Sequence, residues 1–170
     1  RWIEAPNRQS LEDATTELDS LNPIHCFLGI AVSIIGVSGA GKTALMSRVA
    51  SEMYTRMKGE RKVIIRFCGT SPKSKNARNL MLSICRQIEF LFRLDEAKST
   101  TFDNDTSYDD LVVYFHSLVQ EYPILLFIDS LDQLTDENQG RSQISFLKGV
   151  RPHADTRIVV SCLPDEAEIN

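Results

Sequence analysis

The sequence predicts an α/β fold, a three-layer sandwich in which helices cover both faces of a parallel sheet, and three observations carry that prediction. Short apolar runs rich in β-branched residues recur along the chain as "IAVSIIG" (30–36), "KVIIRFCG" (62–69), "ILLFID" (124–129) and "RIVVSC" (157–162). They are apolar almost throughout rather than alternating, the pattern of strands buried on both faces. Segments of helical spacing separate them, and that alternation of strand and helix is the signature of a parallel sheet. With 42% apolar residues in 170, the chain can bury the core of one such domain.

Residues 1–24 are polar, with one helical signature in which Ser10 caps, Asp13 closes the capping box, and Leu11, Ala14, Leu18 and Leu21 recur on one face. Asn22-Pro23 breaks it. After the first strand, a helix is predicted from about Lys42 to Met57, with Gly59 just past its end. After the second strand, "TSPKSKN" is a loop, and residues 77–92 form a helix with Leu80, Ile84, Ile88 and Leu91 aligned. "LDEAKSTTFDNDTS" is polar and read as a loop or insertion. Helical spacing returns at Leu111, Phe115, Leu118 and Val119, and Pro123 closes that segment before the third strand. A helix around 141–149 precedes the fourth strand. The expected organisation is a partly helical flanking segment at 1–29, a core at 30–166 and a truncated tail at 167–170. The chain opens on Arg and stops soon after an apolar run, so it reads as a fragment of a longer protein, with the sandwich incomplete at its C-terminal side.

The net charge of −4 supplies no general basic field for nucleic acid or an anionic membrane. The longest apolar run, from Cys26 to Val37, falls short of the roughly 20 residues that span a bilayer. Cys26, Cys68, Cys85 and Cys162 form no C-x-x-C pair and are expected to be reduced thiols, mostly buried, which favours a cytoplasmic location.

Directly after the first strand, "GVSGAGKT" (36–43) matches G-x-x-x-x-G-K-[ST] in full. Gly36, Gly39 and Gly41 let the backbone turn its N–H groups around an anion, and the helix opening near Lys42 points its positive dipole end at the same spot. Lys42 is expected along the β- and γ-phosphates of a nucleotide, and the Thr43 hydroxyl on Mg²⁺. Val37, Ser38, Ala40 and Ala44 complete the expected nucleotide-binding segment. This strand–loop–helix arrangement predicts a P-loop NTPase.

In a parallel sheet, ligands bind outside the carboxyl ends of the strands, so Asp129, ending "ILLFID", faces the same crevice as the loop. Its expected role is that of the Walker B acid, holding the Mg²⁺. Metal binding needs only one carboxylate, which leaves two readings of Asp132: it orients or deprotonates an attacking water, or it caps the short segment after the strand. Gln133 is no general base at neutral pH, although an amide can position a water. Hydrolysis, on this reading, is slow.

The stretches "GVSGAGKTALMSRVA", "ILLFIDSLDQL" and "RIVVSCLPDE" resemble the NACHT group of signal-transduction P-loop ATPases. Within it they are most similar to the branch found in NACHT-and-WD-repeat proteins, nephrocystin and the telomerase-associated protein. The resemblance covers roughly residues 30–166. It implies that a bound nucleotide acts as a conformational switch, between a regulatory N-terminal region and C-terminal repeats of a larger protein. It also implies that residues 36–43 are the Walker A site and Asp129 the Walker B acid, and that the fourth strand is a sensor strand inserted between the first and third. Asp132 and Gln133 stand where many NACHT proteins carry Asp-Glu. Where many relatives end the sensor strand in arginine, this chain has Ser161-Cys162-Leu163-Pro164. The winged-helix region that closes over the nucleotide in such switches has no counterpart in the chain.

Weaker candidates are Thr70 and Ser71, which contact phosphate or cap their loop, and the basic cluster of Lys73, Lys75 and Arg78. Arg141, Arg151 and Arg157 are candidate arginine fingers in an assembly. His25, His116 and His153 are scattered, and the spacing of Tyr108, Tyr114 and Phe115 is that of a core-facing helix. No N-K-x-D segment supports GTP. The sequence therefore leads to an ATP-binding switch domain with Mg²⁺ on Thr43 and Asp129 and slow hydrolysis through Asp132 and Gln133. Its protein partners would act through regions outside the fragment, with a nucleotide-dependent oligomer, no nucleic acid and no membrane. The alternatives are a non-hydrolysing scaffold module and a P-loop small-molecule kinase.

Overall fold

The apolar runs become strands because both of their faces are covered, and the two faces can be told apart residue by residue. The computed structural model describes residues 2–4, 31–57, 59–94, 106–137 and 145–164. Five strands, β1 (Trp2–Glu4), β2 (Ala31–Ile35), β3 (Lys62–Phe67), β4 (Ile124–Asp129) and β5 (Arg157–Cys162), form one sheet in the order β1-β2-β5-β4-β3. All the pairings are parallel. The last strand in sequence thus lies between the first and third of the four predicted strands, as the family resemblance implies.

Helix α1 (Lys42–Arg56) covers one face. Its Leu45, Met46, Val49, Ala50 and Met53 pack with Val32 and Ile34 of β2, Leu125 and Phe127 of β4 and Val159 of β5. Helices α2 (Ala77–Phe92) and α3 (Tyr108–Glu121) cover the other face. There Leu80, Ile84, Ile88, Phe115 and Leu118 meet Ile124, Leu126 and Ile128 of β4 and Ile158 and Val160 of β5. Alternate residues of one strand therefore serve opposite layers. Leu125 and Phe127 point toward α1, and the same period sends Asp129 that way. Val159 sets Ser161 on the same side.

Three α-helix starts show how local chemistry fixes the boundaries. The Asn76 side chain accepts from Asn79 N–H at the start of α2, and the Ser107 hydroxyl from Asp110 N–H at the start of α3, both at 3.1 Å. Helix α1 instead starts at Gly41, whose φ is 87°, with no side-chain cap and no acid in its first turn. Its first N–H groups are left for another acceptor.

Four sequence expectations need correction or fall partly or wholly outside the described residues. The helix expected at 141–149 is a short 3₁₀ turn, Ser145–Leu147, and residues 138–144 lie outside the described set. Gly149 takes a left-handed φ of 72°, which ends helical growth and lets both Phe146 and Val150 enter the core. In the flanking segment, Trp2–Glu4 pairs with Ser33, Ile34 and Ile35 as an edge strand, which the sequence did not suggest. The helix expected at 10–21 falls outside the described residues, as does all of the polar loop expected at 94–107 except Leu94, Thr106 and Ser107. Among the described residues no helix is long and apolar enough to cross a membrane, and no group of three or more His, Cys, Asp or Glu stands ready to hold a metal ion.

Candidate functional site: the crevice at the carboxyl end of the sheet

The loop between β2 and α1 is shaped by two glycines. Gly39 has φ 80° and Gly41 φ 87°, a region open to glycine and costly for other residues. Gly36 does not share that conformation, and its carbonyl serves the site instead. Lys42, buried at 8% exposure, curls back so that Nζ donates to Gly36 O at 2.5 Å and Val37 O at 3.0 Å. The ammonium is thereby held over the loop, beside the uncapped start of α1. Two cationic features, a buried lysine and a helix N-terminus, converge on one spot.

Next to Lys42 the chain turns Thr43 toward β4. The Thr43 hydroxyl donates to Asp129 Oδ2 at 2.6 Å, joining residues 86 positions apart. Asp129 is buried at 3% exposure, as a carboxylate can be only when its oxygens find donors. Its other oxygen, Oδ1, accepts from the fully buried Ser161 hydroxyl at 2.5 Å. The Ser161 oxygen in turn accepts from Ser130 N–H at 2.8 Å. Ser130 sits in the left-handed region at φ 60°, ψ 54°, where the chain leaves β4 and starts the 3₁₀ turn Leu131–Gln133.

That turn carries the second acid. Asp132 Oδ1 accepts from Leu163 N–H at 3.1 Å and Oδ2 from the Gln133 amide at 2.7 Å. Both candidate residues therefore reach the crevice, and Asp132 also ties the end of β5 to the end of β4. The stem of Gln133 lies over Gly69, where a Cβ would stand 2.8 Å from Gln133 Cβ. Thr135 N–H donates to Lys75 O at 2.8 Å and the Asn76 amide to Glu137 at 2.9 Å, so the segment after β4 is fastened to the loop after β3. A cavity of about 550 Å³ opens between these parts, lined by residues 38–44, Ser47, Ser130, Asp132, Gln133 and Leu163.

The weaker candidates disperse. Thr70 donates to Phe67 O at 3.2 Å, and Ser71 and Ser74 bond one another in a tight turn, so both hydroxyls close their own loop. Lys73 and Lys75 are exposed, and Arg78 is partly buried. Arg157 is buried at the opposite end of β5, donating to Ala154 O and Thr156 O at 2.8 Å. It cannot act as an arginine finger. Arg151 is exposed, and Arg141 lies outside the described residues. Phe115 is fully buried, and Tyr108 and Tyr114 pack against the same core. Cys68 and Cys85 are buried free thiols and Cys162 is partly buried. Burial pushes the Cys68 thiol up to about 12, helped by the nearby charges of Asp129 and Asp132. Burial does the same to Cys85, with a contribution from Glu89.

Sequence reasoning missed Ser161, and with it Ser47, Ser130 and Leu163 of the cavity wall; for Ser161 a signal was present. That signal was the one hydroxyl in the run "RIVVSC", two positions from Val159 and so on the face of α1.

Fold and crevice together put the chain in the class of nucleotide-binding P-loop NTPases. The family model of the NACHT domain matches residues 31–167, and the chain belongs to the NACHT domain family. It is 32% identical over 115 residues to the human NACHT domain- and WD repeat-containing protein 1, which covers 64% of this chain and 7% of that protein. It is 28% identical over 165 residues to the human NACHT and WD repeat domain-containing protein 2, covering 87% of this chain and 9% of that protein. The mouse protein of the same name matches to the same extent. The chain thus spans less than a tenth of the length of these relatives.

Proposed function

We propose that residues 30–166 form an ATP-binding switch domain that hydrolyses its nucleotide slowly and acts in signalling or assembly within a larger, cytoplasmic, WD-repeat-containing protein. The observation that carries this reading is the contact between Thr43 and Asp129. It brings the hydroxyl that ends the glycine loop against the acid that ends β4, an arrangement whose hard oxygen donors suit Mg²⁺. The donor set fits the nucleotide as well: an ammonium over the loop, glycines that turn N–H groups inward, and an uncapped helix start.

On this reading residues 36–44 wrap the phosphates, and Lys42 exchanges its carbonyl partners for phosphate oxygens. Thr43 and Asp129 hold the cation, which when bound neutralises charge on the β- and γ-phosphates. Asp132 faces the cavity with two lone-pair sites engaged by Leu163 and Gln133. A carboxylate has about four such sites, which leaves room to accept a proton from a water and orient it. Gln133 holds Asp132 in that position. A second reading has support in the same bonds. Asp132 is fully accounted for as a brace between β4 and β5, as a non-hydrolysing scaffold module would use it.

Titration calorimetry with ATP and Mg²⁺ tests binding. Lys42→Ala should weaken affinity at least tenfold, the order expected when a charge-assisted contact worth about 1.5–3 kcal/mol is lost, and unchanged affinity would sink the proposal. Single-turnover conversion of bound ATP tests the chemistry. ADP formed above background, and reduced about a hundredfold in Asp132→Asn as for loss of a general base, supports the slow ATPase. A folded, ATP-bound sample that yields no ADP favours the scaffold.

A further inference from the structure

The Ser161 hydroxyl is wired in one direction only. The Ser130 amide can only donate, so the hydroxyl oxygen must accept there, and its single proton is left for Asp129 Oδ1. The other oxygen of Asp129 is then the one that meets Thr43. We propose that Ser161 is a positioning residue: it fixes which carboxylate oxygen Asp129 presents to Thr43, and by doing so sets the affinity of the crevice for a divalent cation. The role rests on the reading of Thr43 and Asp129 as the cation's ligands.

Strand geometry makes the arrangement available. β4 and β5 pair with Phe127 opposite Val159, and two residues further along, Asp129 and Ser161 stand side by side on the face of α1. On the other flank of β5, the residue opposite Ser161 is Ile34, which has no donor to offer. Ser130 bends into its left-handed conformation at the same point, and its N–H needs an acceptor where the sheet no longer supplies one. One hydroxyl meets both needs. Alanine meets neither, and threonine would force a methyl into a site with 0% exposure. Cysteine keeps the size but is a weak donor and acceptor. A group that orients a metal ligand without touching the metal is expected to act on metal affinity ahead of everything else.

The test titrates free Mg²⁺ against binding of a fluorescent ATP analogue by the protein, its Ser161→Ala and Ser161→Cys forms, Asp129→Asn, and the Asp129→Asn/Ser161→Ala double variant. Ser161→Ala should raise the Mg²⁺ needed for half-saturation about tenfold while metal-free binding of the analogue changes less than about twofold. Ser161→Cys should shift in the same direction. In the Asp129→Asn background, Ser161→Ala should add no further shift, because the oxygen it positions is gone. An unchanged Mg²⁺ midpoint in a folded Ser161→Ala protein overturns the proposal, as does an equal shift with and without Asp129. So does a matching loss of metal-free binding, which would mark Ser161 as a general support of the fold. If Ser161→Ala fails to fold by circular dichroism, Ser161→Cys decides by the same comparison. A parent protein that binds the analogue with no Mg²⁺ dependence, or not at all, overturns the ligand assignment of Thr43 and Asp129 and this role with it.

Discussion

Gly69 and Gly59 both take left-handed backbone angles, with φ 79° and 91°, yet only one of them is tied to the crevice. A Cβ at Gly59 meets nothing within 4 Å, whereas at Gly69 it would press on Gln133 at 2.8 Å. Alanine at either position should cost about 1–2 kcal/mol of backbone strain, read as a lower urea midpoint. Gly69→Ala should in addition displace Gln133, release its bond to Asp132 and lower single-turnover ADP formation, while Gly59→Ala leaves that rate alone. Equal rates in the two variants would show that the amide plays no part in the chemistry. From the sequence, Gly69 was legible as the end of a strand, and Gln133 as a residue near an acid. Their contact was not, because it depends on how the loop after β3 folds against the turn after β4.

At the scale of elements, four of the five strands and all three α-helices among the described residues were legible, since a parallel strand buried on both faces leaves an unbroken apolar run and a covered helix leaves a periodic one. What periodicity cannot register is a single backbone reversal. The apolar residues around 146–150 have helical spacing, but Gly149 turns left-handed, and the segment becomes a wedge with Phe146 at its tip. Phe146 packs edge-on against Phe115 with ring centroids 6.1 Å apart, and its carbonyl pairs with His116 Nε2 at 2.9 Å. Its ring is fully buried, so Phe146→Ala should destabilise the protein by about 3–5 kcal/mol in urea unfolding. A loss under 1 kcal/mol would mean that the wedge is not fixed against α3 in solution. β1 escaped notice for a different reason: three residues at a sheet edge give too short a pattern to separate from loop.

For the molecule as a whole, stability should depend on pH through two thiols buried in one core cluster. Cys68 and Cys85 are both raised from the ordinary 9.0 to about 12 in the fold. Below pH 9 the thiol is neutral in folded and unfolded chains alike, and the full stability is present. Above pH 9 only the unfolded chain ionises, so stability falls progressively toward pH 12, by about 1 kcal/mol per thiol at pH 10. Urea midpoints in reducing buffer at pH 8 and pH 10 measure the drop, which should be smaller in Cys85→Ala than in the parent. An identical drop in both would place the cause elsewhere. The candidate site divides by the same distinction between local and distant. The glycine loop is continuous in sequence, so its shape could be read there, and the place of Asp129 beside it followed from the rule that strand ends of a parallel sheet face one crevice. Ser161 left only the faint signal of one hydroxyl in an apolar strand, because its partners are chosen by the register of β4 against β5.

The placement of β5 between β2 and β4 has a consequence in time. Ala31 must wait for Ile158, and Leu126 for the same residue, before either neighbour is joined to the other. During synthesis, the glycine loop and Asp129 leave the ribosome well before the strand that brings them into one sheet. Pairings so remote in sequence form slowly. A nascent chain that lacks β5 therefore exposes two unpaired strand edges and has no assembled crevice, so the contacts of Asp129 with Ser161 form only after β5 has docked.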